Sequence, residues 1–75
     1  DFISALKEKH TGISNNEVKL CAYLRMNLST KEIAQLMNIS VRGVEVSRYR
    51  LRKKLELATE VSLFDYLISI QTRNS

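Results

Sequence analysis

Apolar residues recur along this chain at spacings of three and four, in five separate runs. That period marks helices with one buried face. Phe2, Ile3 and Leu6 predict a first helix over about 1–10, broken at Gly12. Val18, Cys21, Ala22 and Leu24 predict a second over about 15–27. Ile33, Ala34, Leu36 and Met37 predict a third over about 30–37. Val44, Leu51 and Leu55 predict a fourth over about 41–56. Leu63, Phe64, Leu67, Ile68 and Ile70 predict a fifth over about 63–72. The stretch Val44–Ser47 reads β-like alone but lies inside helical spacing, and no period-two run is long enough for a strand. The expected fold is all-α, a four- to five-helix bundle with short loops and no wing.

The polar positions supply the starts. Ser14 with Glu17, Ser29 with Glu32, and Ser62 with Asp65 each form a Ser-x-x-acid pattern before an apolar run. In a capping box the hydroxyl accepts from an early helix amide and the carboxylate reaches back to the cap. The third pattern is weaker, because Asp is shorter than Glu. Ser40 is a fourth candidate cap, after the short Met37–Ile39 connection. No repeat or linker interrupts the 75 residues, so they read as a single domain. It divides into an extra N-terminal helix (1–12), a central core (13–57) and a C-terminal helix (58–75).

Composition narrows the class. With 44% hydrophobic and 27% charged residues the chain is too apolar to be disordered. It has no proline and two glycines, so few positions break a helix. No run approaches the ~20 apolar residues of a membrane span, and no signal-peptide pattern opens the chain, so no membrane contact is expected. The single cysteine, Cys21, excludes an internal disulfide and a cysteine-based zinc site, and fits a reducing compartment. The chain opens on Asp1, which suggests a piece of something larger.

Charge changes the picture most. Between Arg42 and Lys54 stand six Arg/Lys and one acid, Glu45, and outside that window six bases face seven acids. The net charge of +4 therefore comes from one helix. On a wheel of about 100° per residue, Val44, Leu51 and Leu55 fall within about 20° of one direction, with Ser47 and Arg48 beside them. Arg42, Val46, Tyr49 and Lys53 take the opposite face, flanked by Glu45 and Arg52 on one side and by Arg50 and Lys54 on the other. A solvated charged face is the bland account of such a run. Against it, ordinary exposed helices mix signs, and burial in this domain would not put Val46 and Tyr49 on the exposed face. A short capped helix, a tight turn and a basic helix form the helix-turn-helix pattern, whose second helix enters the major groove of DNA.

Residues 28–55, LSTKEIAQLMNISVRGVEVSRYRLRKKL, resemble the LuxR/GerE-type helix-turn-helix family. Its pattern runs L-S/T-x-x-E, then L-S-x-K-E-I-A-x-x-L-x-I-S, then T-V-x-x-H-x-x-x-I-x-x-K-L. Ile13, Ser14 and Glu17 supply the first part. Leu28, Ser29, Lys31, Glu32, Ile33, Ala34, Leu36, Ile39 and Ser40 supply the second, and Val44, Leu51, Lys54 and Leu55 the third. The resemblance covers about residues 13–70 without gaps. Gly43 departs from the usual Thr, and Ser47 from the usual His. Glu45 stands at a position that often contacts bases; an acid there repels phosphate but can accept from cytosine N4. The SRYRLRKKL wording is similar to a variant in large Bacteroidetes regulators with sensor parts upstream.

The resemblance implies the DNA-binding output domain of a bacterial transcription regulator. It implies a cytoplasmic, nucleoid-associated setting, double-stranded DNA and a second copy of the chain as partners, and control by an upstream sensor in the same polypeptide. Arg42, Glu45, Val46 and Tyr49 become base-reading candidates; Lys31, Arg48, Arg50, Arg52 and Lys53 become phosphate candidates. The last helix often makes the dimer contact, which nominates Leu63, Leu67 and Ile70, although covering the core is the competing role for the same stripe. Sigma-factor region 4 shares the turn and the basic helix and is the runner-up; a protein–protein module using the basic helix is a third reading. His10 reads as a surface or capping residue and Cys21 as a small core residue. No Gly-rich phosphate loop, catalytic spacing or metal-ligand spacing is present, so a non-enzyme without cofactor or metal is expected.

Overall fold

The five apolar runs become five helices in the computed structural model, which describes residues 1–70. They are α1 (Phe2–Lys9), α2 (Asn15–Arg25), α3 (Thr30–Met37), α4 (Val41–Lys54) and α5 (Leu63–Ser69), with no strand among the described residues. Each starts on a side-chain cap. Ser14 and Ser29 form full capping boxes with Glu17 and Glu32, satisfying amides that the first helical turn leaves open. Ser40 accepts from the Gly43 amide at 2.9 Å. Ser62 accepts from the Asp65 amide at 3.2 Å, forming only the hydroxyl half of a box. Asp1, not expected as a cap, accepts from the Ser4 amide at 2.8 Å and starts α1. Residues 71 and 72 of the expected last helix lie outside the described residues; among those described, α5 closes at Ser69 with Ile70 as its cap.

The stops also have a common chemistry. Asn27, Asn38 and Glu56 follow α2, α3 and α4 with φ of 61°, 57° and 58°. The next residue's amide then reaches back five positions: Leu28 to the Tyr23 carbonyl, Ile39 to Ala34 and Leu57 to Arg52. This bond belongs to the Schellman ending, which needs a left-handed residue. Asparagine tolerates that conformation well; glutamate at position 56 does so at a cost of ~1 kcal/mol.

The core places α2 at the centre, against α1, α4 and α5, while α3 packs on α4. Leu6, Leu20, Cys21, Ile33, Val44, Leu51, Leu67 and Ile70 are the largest fully buried side chains. Burial favours the core-covering role of the last helix over the dimer role set beside it. Leu63, Leu67 and Ile70, nominated as dimer contacts, are only 3%, 0% and 2% exposed. In a chain this short, α2 needs α5 as a lid, so the main apolar stripe of α5 faces inward. Val61 and Ile68 keep the exposed apolar surface at this end, with Phe64 half-buried. At the other end α1 is fixed by buried Phe2 and Leu6, and the Arg25 guanidinium sits 4.6 Å over the Phe2 ring. His10 ends α1, half-buried, and its Nε2 shares a 2.7 Å hydrogen bond with the Tyr66 hydroxyl.

Candidate nucleic-acid interface

The α3–turn–α4 unit presents the basic helix as the wheel required. Val44, Leu51 and Leu55 are buried, so the opposite side of α4 must face outward. Arg42, Glu45, Val46, Tyr49, Arg50 and Lys53 are all exposed, Tyr49 at 60%. The turn is short because Asn38 reverses the chain and Ser40 caps α4 two residues later. Gly43 suits this closure: a Cβ there would lie 3.3 Å from Ser40 Oγ and 3.5 Å from Ile39 Cδ1.

The six bases of α4 divide into two sets. Lys54 Nζ donates to Glu17 Oε1 at 3.0 Å, tying the end of α4 to the start of α2. Burial raises the Glu17 carboxyl, but hydrogen bonds from the Ser14 amide, Lys54 and the Ser14 hydroxyl outweigh it and hold Glu17 below the ordinary value. Arg52 donates to the carbonyls of Ala58 (2.7 Å) and Thr59 (3.0 Å), holding the loop before α5. Arg48 is half-buried and donates to Thr30 Oγ1 at 3.4 Å, beside exposed Lys31 on the first turn of α3. Arg42 and Arg50 make no side-chain hydrogen bond or ion pair among the described residues, and Lys53 lies 5.0 Å over the Tyr49 ring. The free cations are therefore on the outward side, and the tethered ones flank the core.

The loop role of Arg52 and the tie of Lys54 were not expected. A signal existed: Arg52 and Lys54 stand about 80° from the buried stripe, where a long side chain lies along its own protein. Glu45, by contrast, makes no hydrogen bond or ion pair among the described residues, despite arginines three places before and after it.

Residues 10–67 match the model of the GerE family, described as bacterial regulatory proteins, luxR family. The chain belongs to this family. It is a DNA-binding, helix-turn-helix regulatory family, not an enzyme family. No curated protein and no solved structure matches the chain. The luxR-family match takes in α2 to α4 and most of α5 and leaves α1 outside it. Its reach into α5 goes beyond the turn and basic helix that the sigma-factor alternative shares.

One alignment detail is corrected. In the luxR-type pattern the leucine follows alanine by three places, which is Met37, not Leu36. The structure agrees: Met37 packs against the core, while Leu36 is 57% exposed. Among the described residues no helix is long and apolar enough to cross a membrane, and no cluster of potential ligands could hold a metal ion.

Proposed function

We propose that this luxR-family domain binds specific DNA sequences with α4 in the major groove, as the output domain of a transcription regulator. The observation that carries this reading is the separation on α4 between a buried apolar line and an outward face with unpaired cations. On this reading Arg42, Glu45, Val46 and Tyr49 meet base edges, and Arg50 and Lys53 meet phosphates beside them. Lys31 on the first turn of α3, with Arg48 of α4 lying beside that turn, reaches a further phosphate, where helix amides also favour an anion. Arg52 is left out of the phosphate set, because its guanidinium is engaged by the 58–59 carbonyls.

The domain binds as a homodimer on paired half-sites. Its seam uses Val61, Phe64 and Ile68, since Leu63, Leu67 and Ile70 are taken by the core. Residues 13–57 act as the DNA-reading core, 1–12 as an added brace and 58–75 as the dimer element. A DNA partner puts the protein in the bacterial cytoplasm, under the control of a sensor region of the same polypeptide, with no catalytic step and no cofactor.

Selection from a randomised duplex library at two salt concentrations tests this. The expected result is an enriched motif, repeated about one helical turn (~34 Å) apart. Retention without enrichment sinks the reading and leaves a basic surface suited to an acidic protein partner.

A further inference from the structure

We infer that Glu45 is a selectivity residue that requires a C·G pair within each half-site and weakens binding to all other DNA. The inference rests on the proposed placement of α4 in the major groove. It begins from the oddity of the side chain. Glu45 is the one acid on a face that otherwise carries Arg42, Arg50 and Lys53. It is exposed, and Arg42, Arg48, Tyr49 and Arg52 stand one or two turns away on the same helix, yet none forms a bond or ion pair with it. The carboxylate is therefore not consumed inside the protein.

Its position then decides what it meets. It lies one turn into α4, three residues after Arg42 and one before Val46, near the end of the helix that enters the groove. A carboxylate brought into that groove loses solvent and gains the repulsion of the phosphates, so it opposes binding unless a donor faces it. The major groove offers two donors, the amino groups of cytosine N4 and adenine N6. Adenine places the N7 acceptor beside its amino group, which repels the second carboxylate oxygen. In a C·G pair the amino group has C5–H on one side and a single acceptor, guanine O6, on the other, whereas the adenine amino group stands between two acceptors. The carboxylate therefore selects cytosine, and the paired guanine offers O6 and N7 within reach of the cation on Arg42. Val46, 36% exposed, adds an apolar contact suited to a neighbouring thymine methyl.

Because Glu45 is exposed and unbonded, its replacement leaves the fold intact, which circular dichroism verifies. The experiment repeats the duplex selection with the wild-type chain, Glu45→Gln and Glu45→Ala, and measures each protein on the selected duplex and on random-sequence duplex. The wild type should enrich a fixed C·G pair, with about a 5- to 150-fold loss when that pair is changed. Glu45→Gln should move that position to A·T, since the amide matches adenine N6 and N7. Glu45→Ala should leave the position degenerate and bind random duplex several-fold more tightly. If both variants keep the wild-type motif and the wild-type affinity for random duplex, the inference is overturned while the groove reading stands. If the wild type enriches no motif, the groove reading fails and takes this inference with it.

Discussion

Helices α4 and α5 meet the same small core and are used in opposite ways. The longer, α4, gives the core only Val44 and Leu51 before its cap at Leu55, and holds Arg42, Glu45, Val46, Tyr49, Arg50 and Lys53 outward. The shorter, α5, turns Leu63 and Leu67 inward, with Ile70 closing it. The difference shows when a hydrophobic pattern assigns a face. With three apolar residues on one line, α4 has one way to sit. With Leu63, Phe64, Leu67, Ile68 and Ile70 spread over about 160° of its circumference, α5 has an apolar surface wider than one contact line, and the space above α2 chooses which part is buried.

The largest expected effect breaks the comparison at α5. Leu67→Ala should cost about 2–5 kcal/mol of folding stability, as truncation of a fully buried leucine does, and leave little folded protein at ambient temperature. A denaturant titration that finds Leu67→Ala as stable as wild type, with only dimerisation lost, would return this residue to the seam. Ile68→Asp, on the exposed side of the same helix, should do the reverse: near-wild-type unfolding, but loss of paired half-site binding in sedimentation with DNA.

On α4, Arg50→Ala and Lys53→Ala should each lower the salt slope of DNA binding by about one and change stability by less than ~0.5 kcal/mol. Arg52→Ala should behave differently, lowering stability by ~1 kcal/mol through the loop it holds, with a smaller change in salt slope. Equal salt slopes for Arg50→Ala and Arg52→Ala would erase the division between free and tethered cations.

Acid should loosen the frame under both helices. Glu17 and Glu32 lie below the ordinary carboxylate value of 4.5 when folded. In Glu32 the cause is the Ser29 amide and then its hydroxyl; in Glu17 hydrogen bonds overcome the opposing effect of burial. A carboxyl depressed by folding contributes fully above its unfolded value and loses that contribution as pH falls through the folded value. The thermal midpoint should therefore drop as pH falls below about 4.5. The double variant Glu17→Gln, Glu32→Gln should flatten that drop, and an unchanged profile would show that the boxes do not carry it.

The five helices, the serine caps of four of them and the outward face of α4 were legible in the sequence, because each is a local property. A capping box needs residues three apart, and a wheel needs only spacing. Asn27 and Asn38 carry only a weak stop signal, because asparagine tolerates the left-handed conformation without requiring it, and Glu56 carries none. The burial of Met37 rather than Leu36 was legible as well, since the family pattern's spacing of three places after alanine selects Met37, and the packing of α3 follows that spacing.

The sequence by itself therefore determined an all-α chain with one basic helix and a helix-turn-helix spacing, since these follow from periods and charges along a single strand of chain. Tertiary structure decided which cations remain free, which side of α5 is lid, and that Glu45 stands unpaired. Those depend on distances between residues remote in sequence, such as the 3.0 Å between Lys54 and Glu17, which no local period encodes.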